Sequence, residues 1–271
     1  MALTFYKFHG AGNDFIIIDD RNGEFKEQVK EPQSHIYQLC RRHFGIGADG
    51  LMLLRTTADA DFEMVYFNRD GHPGSMCGNG GRCIVAFAES LGIIGEKTTF
   101  KASDGLHEAI INHKGIDVWD ISLKMNDVNT IKGHGREFAL DTGSPHLVLF
   151  SENIPEKDVN AEGRDIRYSP TFAKEGININ FAEVLDKGTL RMRTYERGVE
   201  NETLACGTGA TAVALSAWAA GFQNESHAFR LLVPGGELRV NFRPPAKDTD
   251  TFTDIWLSGP ATKVFSGTLD I

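Results

Sequence analysis

The chain has little of what membrane-spanning, secreted or nucleic-acid-binding proteins depend on. No uninterrupted apolar run reaches the roughly 18 residues of a membrane helix, and the opening MALTFYKFHG lacks a signal-peptide core. Basic residues are in deficit: 28 Lys and Arg against 37 Asp and Glu leave a formal net charge of −9. With no long basic run either, the charge argues against nucleic acid and anionic membranes as partners. Cysteine is scarce, with only four, Cys40, Cys77, Cys83 and Cys206, in 271 residues. No CxxC or Cys/His pair has zinc-site spacing, so the expectation is four thiols in a reducing cytoplasm and no metal. A GxxxxGK[ST] phosphate loop is absent, and Cys77 to Arg82 is one residue short of a C-x5-R phosphatase loop. What remains, 41% hydrophobic and 24% charged residues, describes a soluble globular protein. Its length suits one large domain or two of about 130 residues.

The most informative stretch is NRDGHPGSMCGNGGRCIVAFAESLG, Asn68 to Gly92. A loop delivers Cys77 onto a turn freed by Gly78, Gly80 and Gly81. From Arg82 to Leu91 only Arg82, Glu89 and Ser90 are polar, which predicts a helix buried on every side. Cys77 then stands at a helix N-terminus, where unpaired N–H groups and the helix dipole favour an anion and lower a thiol pKa.

Taken in order, LTFYKFHGAGNDFIIIDD predicts strand, glycine turn and strand, with Phe15 to Ile18 buried on both faces and Asn13 and Asp14 as turn formers. Gln33 to His43 has helical spacing, with Ile36, Leu39 and Cys40 on its core face. Strands follow at Leu51–Leu54 and Phe62–Phe67, then the central helix, then a hairpin turning at Asp104-Gly105. Gly115 to Lys124 alternates as a strand does, and a polar segment from Asn126 to Gly135 places a domain boundary near Met125. Beyond it come FALDTGSPHLVLF, a loop with a short helix over residues 152–176, GININFAEVL and TLRMRTYERG. The chain then reads ENETLACGTGATAVALSAWAAG, the hairpin FRLLVPGGELRVNF, and two last strands in DTFTDIWLSG and TKVFSGTLDI.

The two parts repeat an order of features. Each has strand–Gly-turn–strand, a later strand ending in a polar loop (VYFNRDG, RTYERGV), Cys-Gly-x-Gly, a small-apolar helix and a hairpin turning at Gly. The expected fold is α+β: two similar domains, each a mixed, mostly antiparallel sheet or barrel wrapped around a central apolar helix, with the active site in the cleft between them. The expected domains are residues 1–124 with 262–271, holding Cys77, and 125–261, holding Cys206. Two thiols at matching helix starts suit one chemistry, in which a base on one face of a carbon removes a proton and an acid on the other face returns one. Loss of a proton α to a carboxylate needs its developing charge stabilised, and helix N-termini can do that.

The ordered motifs HGAGNDF, GIGADG, FNRDG, MCGNGGRC, GSPH, NINF, YERG and ACGTG resemble the diaminopimelate epimerase family nearly end to end. The resemblance implies a cofactor-independent isomerase of lysine and cell-wall precursor synthesis, acting on diaminopimelate as a homodimer. It implies that Cys77 and Cys206 transfer the protons, and that Asn13, Gly78-Asn79 and Gly207-Thr208 hold the reacting amino-carboxylate end. Asn68, Asn178 and Arg197 would read the distal end, Arg197 by forking onto a carboxylate. His146 and Glu196 stand where the family has residues close to the reacting centre, Glu196 also touching substrate. Two positions depart from the pattern. Ser144 replaces a frequent Asn, implying a shorter or water-mediated distal contact, and Gly50 stands where some members carry Gln, so no side-chain contact is made there.

The nearest rival is a proline racemase-like enzyme, whose second cysteine motif differs from the one here; phenazine-type isomerases share the fold but lack the cysteine pair. From another class, Gly207–Ala212 fits a loose dinucleotide-binding GxGxxA. The strand that follows it ends at Pro234 and not at the acidic residue that would bind ribose. A non-catalytic amino-acid-binding protein would bind without exchanging the α-hydrogen.

Overall fold

The computed structural model describes residues 2–222, 226–246 and 249–270; Met1 and Ile271, the outer ends of the expected first domain, lie outside them. The chain divides into two compact units, residues 1–123 with 259–271 and residues 124–258.

The first unit contains β1 (Ala2–Gly10), β2 (Asn13–Asp19), α1 (Glu24–Gln28), α2 (Pro32–Cys40), β3 (Gly50–Arg55), β4 (Phe62–Asn68), α3 (Gly78–Ser90), β5 (Lys97–Ala102), β6 (Gly105–Lys114) and β7 (Val118–Lys124). In the second are β8 (Ile131–His134), β9 (Glu137–Asp141), β10 (Pro145–Phe150), α4 (Val159–Arg167), β11 (Asn178–Val184), β12 (Thr189–Glu196), β13 (Asn201–Thr203), α5 (Gly207–Ala219), β14 (Ala228–Val233) and β15 (Gly236–Arg243). The last strand, β16 (Thr253–Asp270), begins in the second unit and finishes in the first.

Strands β1 to β7 are neighbours in chain order, and β16 lies next to β7 and also pairs with β1, so eight strands close a barrel. Around α3 this ring is dry: every residue from Gly78 to Ala88 is buried. Phe8, Phe15, Met52, Phe62, Phe87 and Phe100 form its core. An apolar helix of this kind is stable only when surrounded, because no face of it tolerates water. The second unit orders its strands β16-β15-β14-β12-β11-β10-β9-β8, and α5, buried from Gly209 to Ala217, packs against six of them.

Strand directions make the internal repeat explicit. From β1 to β7 successive pairings run antiparallel, parallel, antiparallel, parallel, antiparallel, antiparallel. From β9 through β10, β11, β12, β14 and β15 to β16 the same six directions recur in the same order. The expected α+β architecture of two similar sheets, each on a central helix, is therefore what the chain adopts.

Local expectations shift in four places. Helix α2 stops at Cys40, short of His43. The first hairpin turns at Ser103-Asp104, with Ala102 paired to Gly105; the second turns at Pro234-Gly235, with Val233 paired to Gly236. In both, a glycine also follows the turn, Gly105 at φ 132 and Gly236 at φ 141, where a side chain would be strained. Part of the polar stretch after Met125 is strand, β8. The two last strands are one, with Gly259-Pro260 falling between the residues paired to β15 and those paired to β1. Proline suits that point because it has no N–H to give a ladder.

Helix α4 packs on β12 so closely that a Cβ added at Gly163 would lie 2.4 Å from Cβ of Tyr195. Gly163→Ala should therefore destabilise the second unit by about 1–3 kcal/mol, read as a lower urea midpoint with unchanged slope.

Candidate active site

Both central helices begin the same way. Cys77 is the N-cap of α3 with φ −114 and ψ 125, and Cys206 is the N-cap of α5 with φ −120 and ψ 114. Each cysteine is thus extended, and its carbonyl accepts the first helical bond, from Gly81 N at 2.7 Å and from Ala210 N at 2.9 Å. Neither side chain caps its helix, so each thiol is turned to other partners. The other two thiols are core. Burial pushes Cys40 up to about 12 and raises Cys83 further, so both stay protonated and inert.

Around Cys77 the partners are polar and charged. Its Sγ lies 3.6 Å from Oδ1 of Asn13, which also accepts from Nδ2 of Asn79 at 3.3 Å. Asn13 in turn donates to Asp49 at 2.7 Å. Asp14 is held by Lys7 at 2.8 Å and Arg42 at 2.6 Å, and Arg42 also reaches Asp49 at 2.9 Å. Although burial alone would raise it, these two cations hold the Asp14 carboxyl below its ordinary range. Asn13 and Asp14 are therefore not turn formers bonded to their own backbone. The turn is Ala11-Gly12, both at positive φ as a two-residue hairpin requires, and the two polar residues open β2. Arg82, wholly buried one turn into α3, donates to Asn79 Oδ1 at 2.8 Å, Gly78 O at 3.3 Å and Pro260 O at 3.4 Å. Burial lowers the pKa of this cation, and its charge favours a thiolate nearby.

Beside Cys206 stands a hydroxyl. The cysteine Sγ lies 3.5 Å from Oγ1 of Thr208, which lies 3.0 Å from Nε2 of His146. Behind His146 stands Asn180, whose amide nitrogen donates to Leu147 O at 3.0 Å and contacts His146 Nδ1 at 3.1 Å. The Leu147 carbonyl can only accept, which fixes the amide's orientation, and the Asn180 oxygen then accepts from Thr194 Oγ1 at 3.0 Å. His146 Nδ1 must then accept, so the imidazole is neutral with its proton on Nε2. That N–H is shared by two hydroxyls at 3.0 Å, Thr208 Oγ1 and Ser144 Oγ, and the first of them also touches Cys206.

The remaining residues lie at or beside strand ends of their own units. Ser144 Oγ lies 3.0 Å from His146 Nε2 and accepts from Asn178 Nδ2 at 3.0 Å, so within this unit the short side chain is tied to His146. Asn178 Oδ1 accepts from Arg197 N at 2.8 Å, and the Arg197 guanidinium donates to Glu175 O at 3.1 Å. Glu196, the last residue of β12, accepts from Thr203 Oγ1 at 2.9 Å. Asn68 is the exposed last residue of β4. Arg82, Asp49 and Asn180 were not singled out from sequence. NINF held Asn180, and the alternation that puts Asn178 and Asn180 on one strand face could have found it. Among the described residues no cluster of three or more His, Cys, Asp or Glu could hold a metal ion.

Burial pushes His146 down to about 3 from 6.5. Its folded value lies below its unfolded one, so its contribution to stability is complete above pH 6.5 and is lost as pH falls toward 3. Lowering pH from 8 to 5 should cost the folded state about 2 kcal/mol through this residue. Urea melts of the protein and of His146→Gln at both pH values should differ in pH dependence by that amount.

A family model described as diaminopimelate epimerase matches residues 5–131 and 138–263. The chain is 49% identical to the diaminopimelate epimerase of Flavobacterium psychrophilum, over 98% of this chain and 100% of that one. It is 41% identical to that of Chlorobaculum tepidum, over 97% and 99%. Among solved structures, a PhzF-family phenazine biosynthesis protein from Bacillus anthracis aligns with TM-score 0.76 and 13% identity, covering 100% of both chains. A hydroxyproline epimerase from Agrobacterium vitis aligns with TM-score 0.66 and 12% identity, over 99% of this chain and 92% of that one. At such identities these two structures speak to the fold alone.

Proposed function

The chain belongs to the diaminopimelate epimerase family, and from that premise we propose that it interconverts LL- and meso-diaminopimelate through a thiolate–thiol pair, Cys77 and Cys206. The thiolate of one cysteine takes the α-proton, and the C–H electron pair stays on carbon, delocalised into the carboxylate. The thiol of the other delivers its proton to the opposite face, and the centre is inverted. One turnover leaves the two sulfurs with their protonation states exchanged. The observation that carries this reading is the recurrence of an extended N-cap cysteine, followed by glycine, at the start of both buried helices.

The α-carboxylate is assigned to the N–H groups of Gly78-Asn79 and Gly207-Thr208, where helix dipoles favour an anion. These N–H groups strengthen their bonds as negative charge develops, which lowers the barrier to proton loss. Asn13 stands beside the reacting end, with His146 and Glu196 as polar neighbours of the same centre. Asn68, Asn178 and Arg197 are assigned to the distal end, where a guanidinium matches a carboxylate. Neither pyridoxal phosphate nor a metal enters the scheme.

Incubation with diaminopimelate in heavy water should place deuterium at the α-carbon, with proline unlabelled as a control. Absence of label from reduced protein would sink the reading. Cys77→Ala and Cys206→Ala should each lower epimerisation by about 10²–10⁴-fold while keeping the native circular dichroism spectrum. Near-native turnover in either variant would rule out the two-thiol scheme.

A further inference from the structure

Strand β4 presents Phe62, Met64, Tyr66 and Asn68 on one face, because side chains alternate along a strand. Phe62 and Met64 are buried in the barrel core, Tyr66 is partly buried against it, and Asn68 is exposed. The face thus runs from dry core to solvent at the barrel end. Tyr66 is the step between: its ring packs 6.0 Å from that of Phe15, and its hydroxyl lies beside Gly50, the residue paired with Asn68.

Two glycines shape the slot that holds this ring. A Cβ added at Gly50 would lie 2.5 Å from Cε2 and 2.8 Å from the hydroxyl of Tyr66. One added at Gly74 would lie 2.4 Å from Cδ1 and 2.5 Å from Cε1 of the same ring, and 3.0 Å from Oδ1 of Asn68. Neither glycine has a left-handed φ, so their lack of a side chain serves space and not backbone conformation. The phenol therefore fills the volume into which a side chain at position 50 would project. The edge of its ring and the Asn68 amide oxygen converge on Gly74.

We propose that Tyr66 is a specificity-determining residue whose hydroxyl contacts the distal ammonium or carboxylate of the substrate beside Asn68. It supplies there the polar group that Gly50 cannot. The assignment rests on the proposed function, since it takes Asn68 as a distal-end contact. Chemically it fits. A phenol both donates and accepts, so it can serve either charge of an amino-acid terminus, and a bond to a charged group is the kind that discriminates.

The test is Tyr66→Phe, which keeps the ring in its slot and removes one oxygen. For diaminopimelate KM should rise about tenfold, as loss of a bond to a charged partner implies, with kcat within about twofold. For 2-aminopimelate, which lacks the distal ammonium, and 2,6-diaminopimelate monoamide, which lacks one carboxylate charge, the pair of KM ratios shows which group the hydroxyl meets: one of the two should lose the tenfold penalty. A thermal melt of the variant confirms that the barrel is intact. If wild type epimerises diaminopimelate and Tyr66→Phe matches it in KM, or loses kcat with KM unchanged, the assignment of Tyr66 is wrong while the function stands. Failure of wild type itself to epimerise overturns both.

Discussion

The structure depends on the need to surround two helices that no face of water can touch. In α3 and α5 the residues that would normally face solvent are Ala, Val, Ile, Gly and Phe. A flat sheet covers one side of a helix; a curled one covers more. The strands of each unit therefore wrap their helix, and the helix N-terminus can only emerge at an open end. Unpaired N–H groups, a partial positive charge and a cysteine arrive there together. The polar chemistry is thus placed by an apolar requirement.

The two thiols share a backbone geometry but not an environment. Cys77 is set in a network of Asn13, Asn79, Asp49 and the buried Arg82 cation, whereas Cys206 meets Thr208 and, through it, a neutral His146 held by Asn180. The two caps are alike in backbone and differ in the side chains described around them, with no difference in fold.

Much of this was legible in the order of residues. The apolar run after Cys77, its counterpart after Cys206 and the recurrent glycine turns are local patterns, and local patterns determine helix, strand and burial. The family resemblance rested on motifs of the same kind. Less legible were residues whose role arises from distant partners. Arg82 reads as one polar residue in an apolar helix, and one of the bonds that allow its burial, to Pro260 O, comes from far along the chain. Asn13 and Asp14 read as turn formers because Asp49, Arg42 and Lys7 lie outside any local window. The first hairpin turns one residue before its Asp104-Gly105 signal, at Ser103-Asp104, where ladder register, a nonlocal property, decides which two residues are left unpaired. The last two expected strands are one, and the residues between them, at Pro260, mark a change of partner within it.

That last strand has a consequence for how the chain is made. Ala2 pairs with Asp270 and His9 with Thr262, so the barrel around α3 lacks its eighth stave until almost the whole polypeptide exists. All of residues 124–258 leave the ribosome before that stave does. The unit that comes second in sequence can close its own contacts first, while β1 waits with one edge open. Joining segments so far apart is entropically slow, and during synthesis the exposed edge of β1 is the point most in need of protection from other chains.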